Sequence, residues 1–252
     1  RLRGDGGPVD DHVILDYSRN QPGTAEFALE GYLHGIVYNA KALSANNRYF
    51  DSASAPAVDA GVETLTASAT GITVWGNLLD GSSTSSVALT TESVTALTTF
   101  LAQPDANLFI SGSGVAEDLT SRGPAQQAFL ATQLMASLLN PSTDATINAT
   151  APLGSFGQAI TTANNFANIS AYNSGSNESL QALGSATATG QYSVSAQPDA
   201  GVVHSNKVVF LGYAFESAAG PDSGASETVR TLLMQDVLSY LLGTPVNDWA
   251  LY

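Results

Sequence analysis

Apolar positions along this chain follow two periods. Val13-Ile14-Leu15 is a compact apolar run closed by Asp16-Tyr17-Ser18, and it predicts a first, central strand. Phe27, Leu29, Tyr32 and Leu33 recur at helical spacing and predict a helix over about 25–34, with Thr24 as its N-cap and Gly35 as its stop. Ile36-Val37-Tyr38 then predicts a second strand, which makes a βαβ opening. Gly71-Ile72-Thr73-Val74-Trp75 is the next strand, followed by an edge loop, Gly76-Asn77-Leu78-Leu79-Asp80-Gly81. Thr91 is placed to cap a helix from Glu92 to Leu101, whose Val94, Leu97, Phe100 and Leu101 share one face. Leu108-Phe109-Ile110 predicts a buried strand, broken by Ser111-Gly112-Ser113-Gly114, and Val115 to Leu119 starts a helical turn. Pro124 suits the first turn of another helix, which Phe129, Leu130, Leu134, Leu138 and Leu139 extend to Asn140-Pro141.

From Ser142 to about Ala200 the texture changes to small polar residues with isolated apolar positions, the spacing of short strands and loops. Val202-Val203-His204 and Val208-Val209-Phe210-Leu211-Gly212 predict a hairpin around Ser205-Asn206-Lys207, its second strand running on into Tyr213-Ala214-Phe215-Glu216. Glu227 to Leu242 is an amphipathic helix stopped by Gly243 and Pro245. The alternation predicts an α/β fold: a doubly wound, mostly parallel sheet with helices on both faces and a polar β-rich insert. Residues 1–10 read as a flexible tail, and 11–252 as a single domain with the insert at about 142–200. The opening residues carry no apolar h-region, so the chain reads as a domain cut from a longer protein or as a processed product.

Composition narrows the partners. Eight Lys and Arg stand against 22 Asp and Glu, a formal net charge of −14, which argues against nucleic acid and anionic membranes. No apolar run is long enough to span a bilayer. Charged residues make up only 12% of the chain, so Ser, Thr, Ala, Asn and Gly fill the surface. That surface suits a secreted bacterial protein and costs little side-chain entropy when buried against a partner. There is no cysteine, which excludes disulfides, thiol chemistry and Cys-ligated zinc. Asn148, Asn168 and Asn177 begin Asn-x-Ser/Thr sequons, a pattern expected by chance in so Ser/Thr-rich a stretch.

The glycine turn carries the first candidate chemistry. A strand, a tight glycine turn and a helix place a side chain at the carboxyl edge of an open α/β sheet, and Ser113 stands at the tip. It reads either as a nucleophile or oxyanion cradle, or as a small residue in a tight turn. A nucleophile needs a base, and His12, His34 and His204 all fall away from the tip. A carboxylate set is the alternative: Asp16, Asp80, Glu117, Asp118 and Glu216 all map near the carboxyl edge. Two of them could share a proton, and Asp16, Asp80 and Glu216 could hold Ca²⁺ with backbone carbonyls. The structural alternatives are a loop cap at Asp16, favourable charge in a first helical turn at Glu117 and Asp118, and amide bonding at Glu216. Trp75 reads as core. Trp249 and Tyr252 form an aromatic end that packs back on the domain or docks on a neighbour.

The order of these pieces resembles the class I glutamine amidotransferase-like (flavodoxin-like) domains of secreted bacterial multidomain proteins, over roughly residues 11–243. The pieces that carry it are the strand ending in Asp16, Ile72-Thr73-Val74-Trp75-Gly76, the helix at 92–101, Leu108-Phe109-Ile110-Ser111-Gly112, the polar insert, Val208 to Glu216, and a closing helix with Arg230. Active members use a Cys at the strand–helix elbow, and a His followed two residues later by Glu after a late strand. Here the elbow offers Ser113 or Gly114, and Ala214 stands where the His would be, with Glu216 matching the Glu. The resemblance therefore implies the fold and a non-catalytic extracellular module, a subunit of an assembly or an accessory domain, with protein partners or self-association. The alternative is a carbohydrate-associated hydrolase or glycan-binding module using Asp16, Asn77, Ser113 and Glu216.

Overall fold

The computed structural model describes residues 13–17, 71–77, 89, 91–102, 106–112, 114–141, 143, 146–154, 159–162, 177–213, 218–219 and 226–243. Among them the chain is a mixed α/β structure. A six-stranded sheet runs β1 (Val13–Tyr17), β2 (Gly71–Asn77), β3 (Ala106–Ser111), β11 (Val208–Leu211), β10 (Gly201–His204), β8 (Thr187–Ala188) in spatial order. The first four are mutually parallel, β10 runs antiparallel to β11, and β8 runs antiparallel to β10. The sheet is therefore mixed. Among the described strands β1 stands at one end of this order, not at the centre where its apolar run suggested. A fully apolar run shows that a strand is covered, and it carries no information about which strands flank it. The predicted helix at 25–34 and strand at 36–38 lie outside the described residues.

β3 and β11 carry the core. Alternating residues of a strand face opposite sides, yet Leu108, Phe109, Ile110, Val208, Val209, Phe210 and Leu211 are all buried. One face packs, through Ala106, Leu108, Ile110, Val208 and Phe210, against the helices α1 (Thr91–Leu101), α2 (Val115–Ser121) and α3 (Pro124–Thr132). Val94, Leu97, Phe100 and Leu101 of α1 belong to this cluster, as their spacing predicts. The last helix, α4 (Ser226–Leu242), packs on β3 and β11 with Val229, Leu233, Val237 and Leu241 buried. Burying each such side chain is worth roughly 1.5–3 kcal/mol.

The hairpin follows from its turn. Ser205 and Asn206 both have positive φ, 57° and 52°, which the primed turns joining twisted strands require. The turn also ties off two helices at the amino end of β11. Lys207 Nζ donates to the carbonyl of Leu101 at 2.8 Å, and His204 Nε2 lies 2.7 Å from the carbonyl of Gln133. Both groups meet helix carbonyls that have no partner within their own helix.

Two stretches differ from the sequence reading. The helix from Pro124 stops at Thr132, and Ala136–Asn140 is a strand, β4, paired antiparallel with β7 (Ser179–Ala182). The reversal comes at Met135, with φ of 52°, after the Leu134 amide bonds back to Phe129. Leu138 is half-buried and Leu139 is 55% exposed, so the two do not share the buried face of a helix. The insert is also less separate than its composition suggests. β5 (Ile147–Ala149), β6 (Ala159–Thr162) and β9 (Gly190–Tyr192) form a small sheet that β12 (Ala218–Ala219) joins from beyond the hairpin, while β8 extends the main sheet.

Candidate functional site

The parallel register builds the carboxyl edge. Asp16 pairs with Gly76, Gly76 with Ser111, and Ser111 with Leu211, so one row crosses four strands. The next row begins with Tyr17 and Asn77. Asp16 and Asn77 are therefore at the carboxyl edge, as their sequence positions predict. Two intervening strand spacings, about 10 Å in all, separate Asp16 from Ser111 along the row.

At the β3 end of this edge the chain turns through Gly112 and Gly114 into α2. Gly114 is the N-cap, with φ of 115°, a backbone conformation that a residue with a Cβ rarely adopts. A glycine cap has no side chain to offer the first amides of the helix, and no side-chain cap bond is made there by Gly114. The acceptor comes from the insert. Glu178 Oε2 accepts the amide of Ala116 at 2.9 Å and its Oε1 accepts that of Glu117. These are the N2 and N3 amides that a Ser or Asp N-cap would ordinarily satisfy.

Glu178 is fully buried and bound through all its polar groups. Its amide donates to the carbonyl of Gly212, just past β11, at 2.7 Å. Its own carbonyl accepts from the Tyr192 hydroxyl of β9 at 3.0 Å. One residue thus joins the elbow, the end of β11 and the small sheet. Burial pushes its carboxyl up to about 8. The amides of Ala116, Glu117 and Gly114 pull in the other direction, and the neighbouring Glu117 charge adds to the rise. The surrounding tyrosines are also dry. Burial raises Tyr192 well above its ordinary value, with smaller contributions from Tyr213 and Glu178, and burial raises Tyr213 too.

The other candidates are placed as follows. Asp118 is buried and pairs with Nε of Arg122, the C-cap of α2, at 2.7 Å. Glu117 is half-buried and contributes its amide to Glu178. His204 is bound at the hairpin turn, at the opposite end of β11 from the elbow. Ser113, Asp80, Glu216, Trp249 and Tyr252 lie outside the described residues, as do His12 and His34. Among the described residues no group of three or more His, Asp or Glu is arranged to hold a metal ion. Among them also, no helix is long and apolar enough to cross a membrane. Of the sequons, Asn148 is exposed on β5, Asn177 is buried, and Asn168 lies outside the described residues.

Glu178 is the residue that sequence reasoning missed. Its signal was faint but present: with Asp144 and Asp199 it is one of three acids in 142–200, a stretch with no Lys, Arg or His. An acid without a nearby cation must find amides if it is buried. Asp199 does the same, its Oδ2 accepting from the amide of Ala182 at 3.0 Å.

No family model matches the chain, and no curated protein matches it. Solved structures do. The N-terminal domain of mmIFT52 superposes with a TM-score of 0.51 at 13% identity, covering 91% of this chain and 97% of that one. A ThuA-like protein from Bacteroides uniformis superposes with a TM-score of 0.52 at 8% identity, covering 95% and 96%. Similarity at these identities is one of fold, and it supports the α/β architecture.

Proposed function

We propose that this chain is a non-catalytic extracellular α/β module that acts by contact, as a subunit of an extracellular assembly or as an accessory domain of a larger secreted protein. The observation that carries the reading is Glu178. At the elbow, where an α/β enzyme of this type would present its nucleophile or bind its ligand, the chain's own carboxylate takes up the helix amides. The absence of Cys from the sequence and the Ala at position 214 agree with this, because an amidotransferase-like reaction needs both a thiolate and an imidazole. In this reading the fold is the doubly wound, flavodoxin-like one, with helices on both sheet faces. The ThuA-like neighbour supports it, since ThuA-like proteins are related to the amidotransferase fold. The Lys-poor, low-charge composition favours broad contact with protein, including further copies of this chain.

Sedimentation velocity, with and without Ca²⁺, followed by electron microscopy of the heaviest species, tests the assembly role. Closed oligomers or ordered polymers support it. A monomer at every concentration removes self-assembly and leaves the accessory role. A second reading draws on the register that puts Asp16 and Asn77 at the carboxyl edge of β1 and β2. It is a glycan-binding surface at the β1–β2 end. A glycan screen with Asp16→Ala as control tests it: no binding by the unaltered chain, or equal binding by both, ends it.

A further inference from the structure

We propose that Asn148 is an N-glycosylation site, the acceptor of an oligosaccharide on the outer face of the small sheet, and that Asn177 is not. The inference rests on the extracellular reading above, because the donor of such a sugar meets chains on their way out of the cell.

Chance supplies Asn-x-Ser/Thr triplets to so Ser- and Thr-rich a stretch, and the structure sorts them. In Asn148-Ala149-Thr150 both the acceptor and the hydroxyl residue are exposed. β5 alternates: Ile147 is buried, and Asn148 beside it is exposed, so its side chain leaves the sheet on the solvent side. β5 lies between β6 and β9, and the residues opposite Asn148 are Ala159 and Gln191. Further along β9, the exposed Ser193 is held to β5 through its amide, which donates to the carbonyl of Thr146 at 2.8 Å. These neighbours are uncharged, and none is bulky. A sugar ring on Asn148 therefore has room, and it meets hydroxyl and amide groups with which it can bond. Pairing on both sides fixes the backbone of Asn148, so the glycan hangs from a rigid point and costs no core contact.

Asn177-Glu178-Ser179 is the opposite case. Asn177 is 2% exposed and Ser179 1%. The Asn177 carbonyl accepts the amide of Thr143 at 2.6 Å, and the next residue is the Glu178 that caps α2. A sugar on Asn177 would displace that segment from the elbow, so the folded chain carries none there. Asn168 lies outside the described residues.

The transfer balances without a redox partner. The amide nitrogen of Asn148 bonds to the anomeric carbon of an oligosaccharide carried on a polyprenyl phosphate. The bond from that carbon to the phosphate oxygen breaks, the polyprenyl phosphate leaves with the electron pair, and the amide gives up one proton to solvent. The Thr150 hydroxyl is the second group that the transferring enzyme reads.

Peptide mass spectrometry on the native protein, isolated separately from its source cells and from their medium, tests the proposal. No Lys or Arg lies between Arg122 and Lys207, so trypsin leaves all three sequons on one fragment, whereas cleavage after Phe156, Phe166 and Tyr172 separates them. The peptide ending at Phe156 is expected to carry a sugar mass that fragmentation localises to Asn148, and the Asn177 peptide to carry none. Asn148→Gln and Thr150→Ala, produced in the same cells, should each abolish the modification, and Thr150→Ser should keep it. Both positions are exposed, so neither change removes a buried contact. A bare Asn148 in chain recovered from the medium would overturn the proposal and leave the extracellular reading standing. Chain found inside the cells alone would end both. A sugar on Asn177, or one kept on Asn148 in Thr150→Ala, would also overturn the assignment.

Discussion

Glu178 caps a helix that begins at Val115: its Oε2 accepts the amide of Ala116 at 2.9 Å across 62 residues of sequence. Most helices are capped by the residue just before them, and here that residue is a left-handed glycine. The two facts belong together. Gly114 lets the chain turn sharply out of β3, and in doing so it leaves the first amides of α2 without a local acceptor. A carboxylate from the insert then completes a turn that the main sheet starts, so insert and sheet form one folding problem rather than two.

Removing that carboxylate should be expensive. Glu178→Ala strips the acceptor from the Ala116 and Glu117 amides, and an unmade bond to a buried donor costs about 1–3 kcal/mol. Some loss is recovered, because the buried acid no longer has to be dehydrated. The expected net destabilisation at pH 6 is about 2–4 kcal/mol, read as a lower urea midpoint with the slope preserved. A change within about 0.5 kcal/mol would mean that water reaches those amides freely.

Gly212 bears on the same residue from the other side. A Cβ placed on it would lie 2.6 Å from the carbonyl oxygen of Glu178, and backbone there cannot step aside cheaply. The Gly212 carbonyl also receives the Glu178 amide, and its own amide donates to Ala200 at 2.9 Å. Gly212→Ala should therefore destabilise the chain by about 1–3 kcal/mol. It should also weaken protection at Glu178 more than at Phe109. Equal loss at both positions in hydrogen exchange would show a general packing defect instead.

The parts of this fold that were legible in the sequence are those dictated by local chemistry. The α1 face at Val94, Leu97, Phe100 and Leu101, the β3 run, the glycine elbow and the Ser205-Asn206 hairpin all follow from periodicity or from turn residues. Leu138-Leu139 was misleading because two adjacent leucines fit a helix face and a strand equally well; the reversal at Met135 decides between them. Strand order escaped for a different reason. A buried strand such as Val13–Tyr17 has the same apolar run at the end of a sheet as at its centre. Glu178 was hidden because its partners are backbone amides, which leave no mark in sequence. Asp16 and Asn77 were placed correctly at the carboxyl edge because parallel strands share a direction, whatever their order.

Tyr192 offers a finer probe than Glu178 itself. Its hydroxyl donates to the Glu178 carbonyl at 3.0 Å inside a dry pocket, while its ring is among the largest fully buried side chains. Tyr192→Phe keeps the ring and removes one bond, so the expected cost is about 1 kcal/mol. Tyr192→Ala also removes the ring and should cost roughly 3–5 kcal/mol. Urea titration of both variants checks the split. A phenylalanine variant as unstable as the alanine one would place the hydroxyl, rather than the ring, at the centre of the packing.

Global stability should carry the signature of one acid that folding makes weaker. Glu178 goes from an ordinary value of 4.5 to about 8 when buried. The folded state therefore binds more protons than the unfolded state between those limits, and the slope of unfolding free energy against pH is negative there. This contribution is fully present below about pH 4.5. It declines by up to about 1.4 kcal/mol per unit as pH rises and is exhausted above about pH 8. The acidic chain, with its net charge of −14, adds a general self-repulsion of the same sign. Urea unfolding at pH 6, 7, 8 and 9 separates the two effects. A decline continuing from pH 6 to 8 and then levelling identifies Glu178, and Glu178→Gln should flatten it. A profile already level from pH 6 upward would mean that the backbone amides hold the carboxylate ionised in the folded chain.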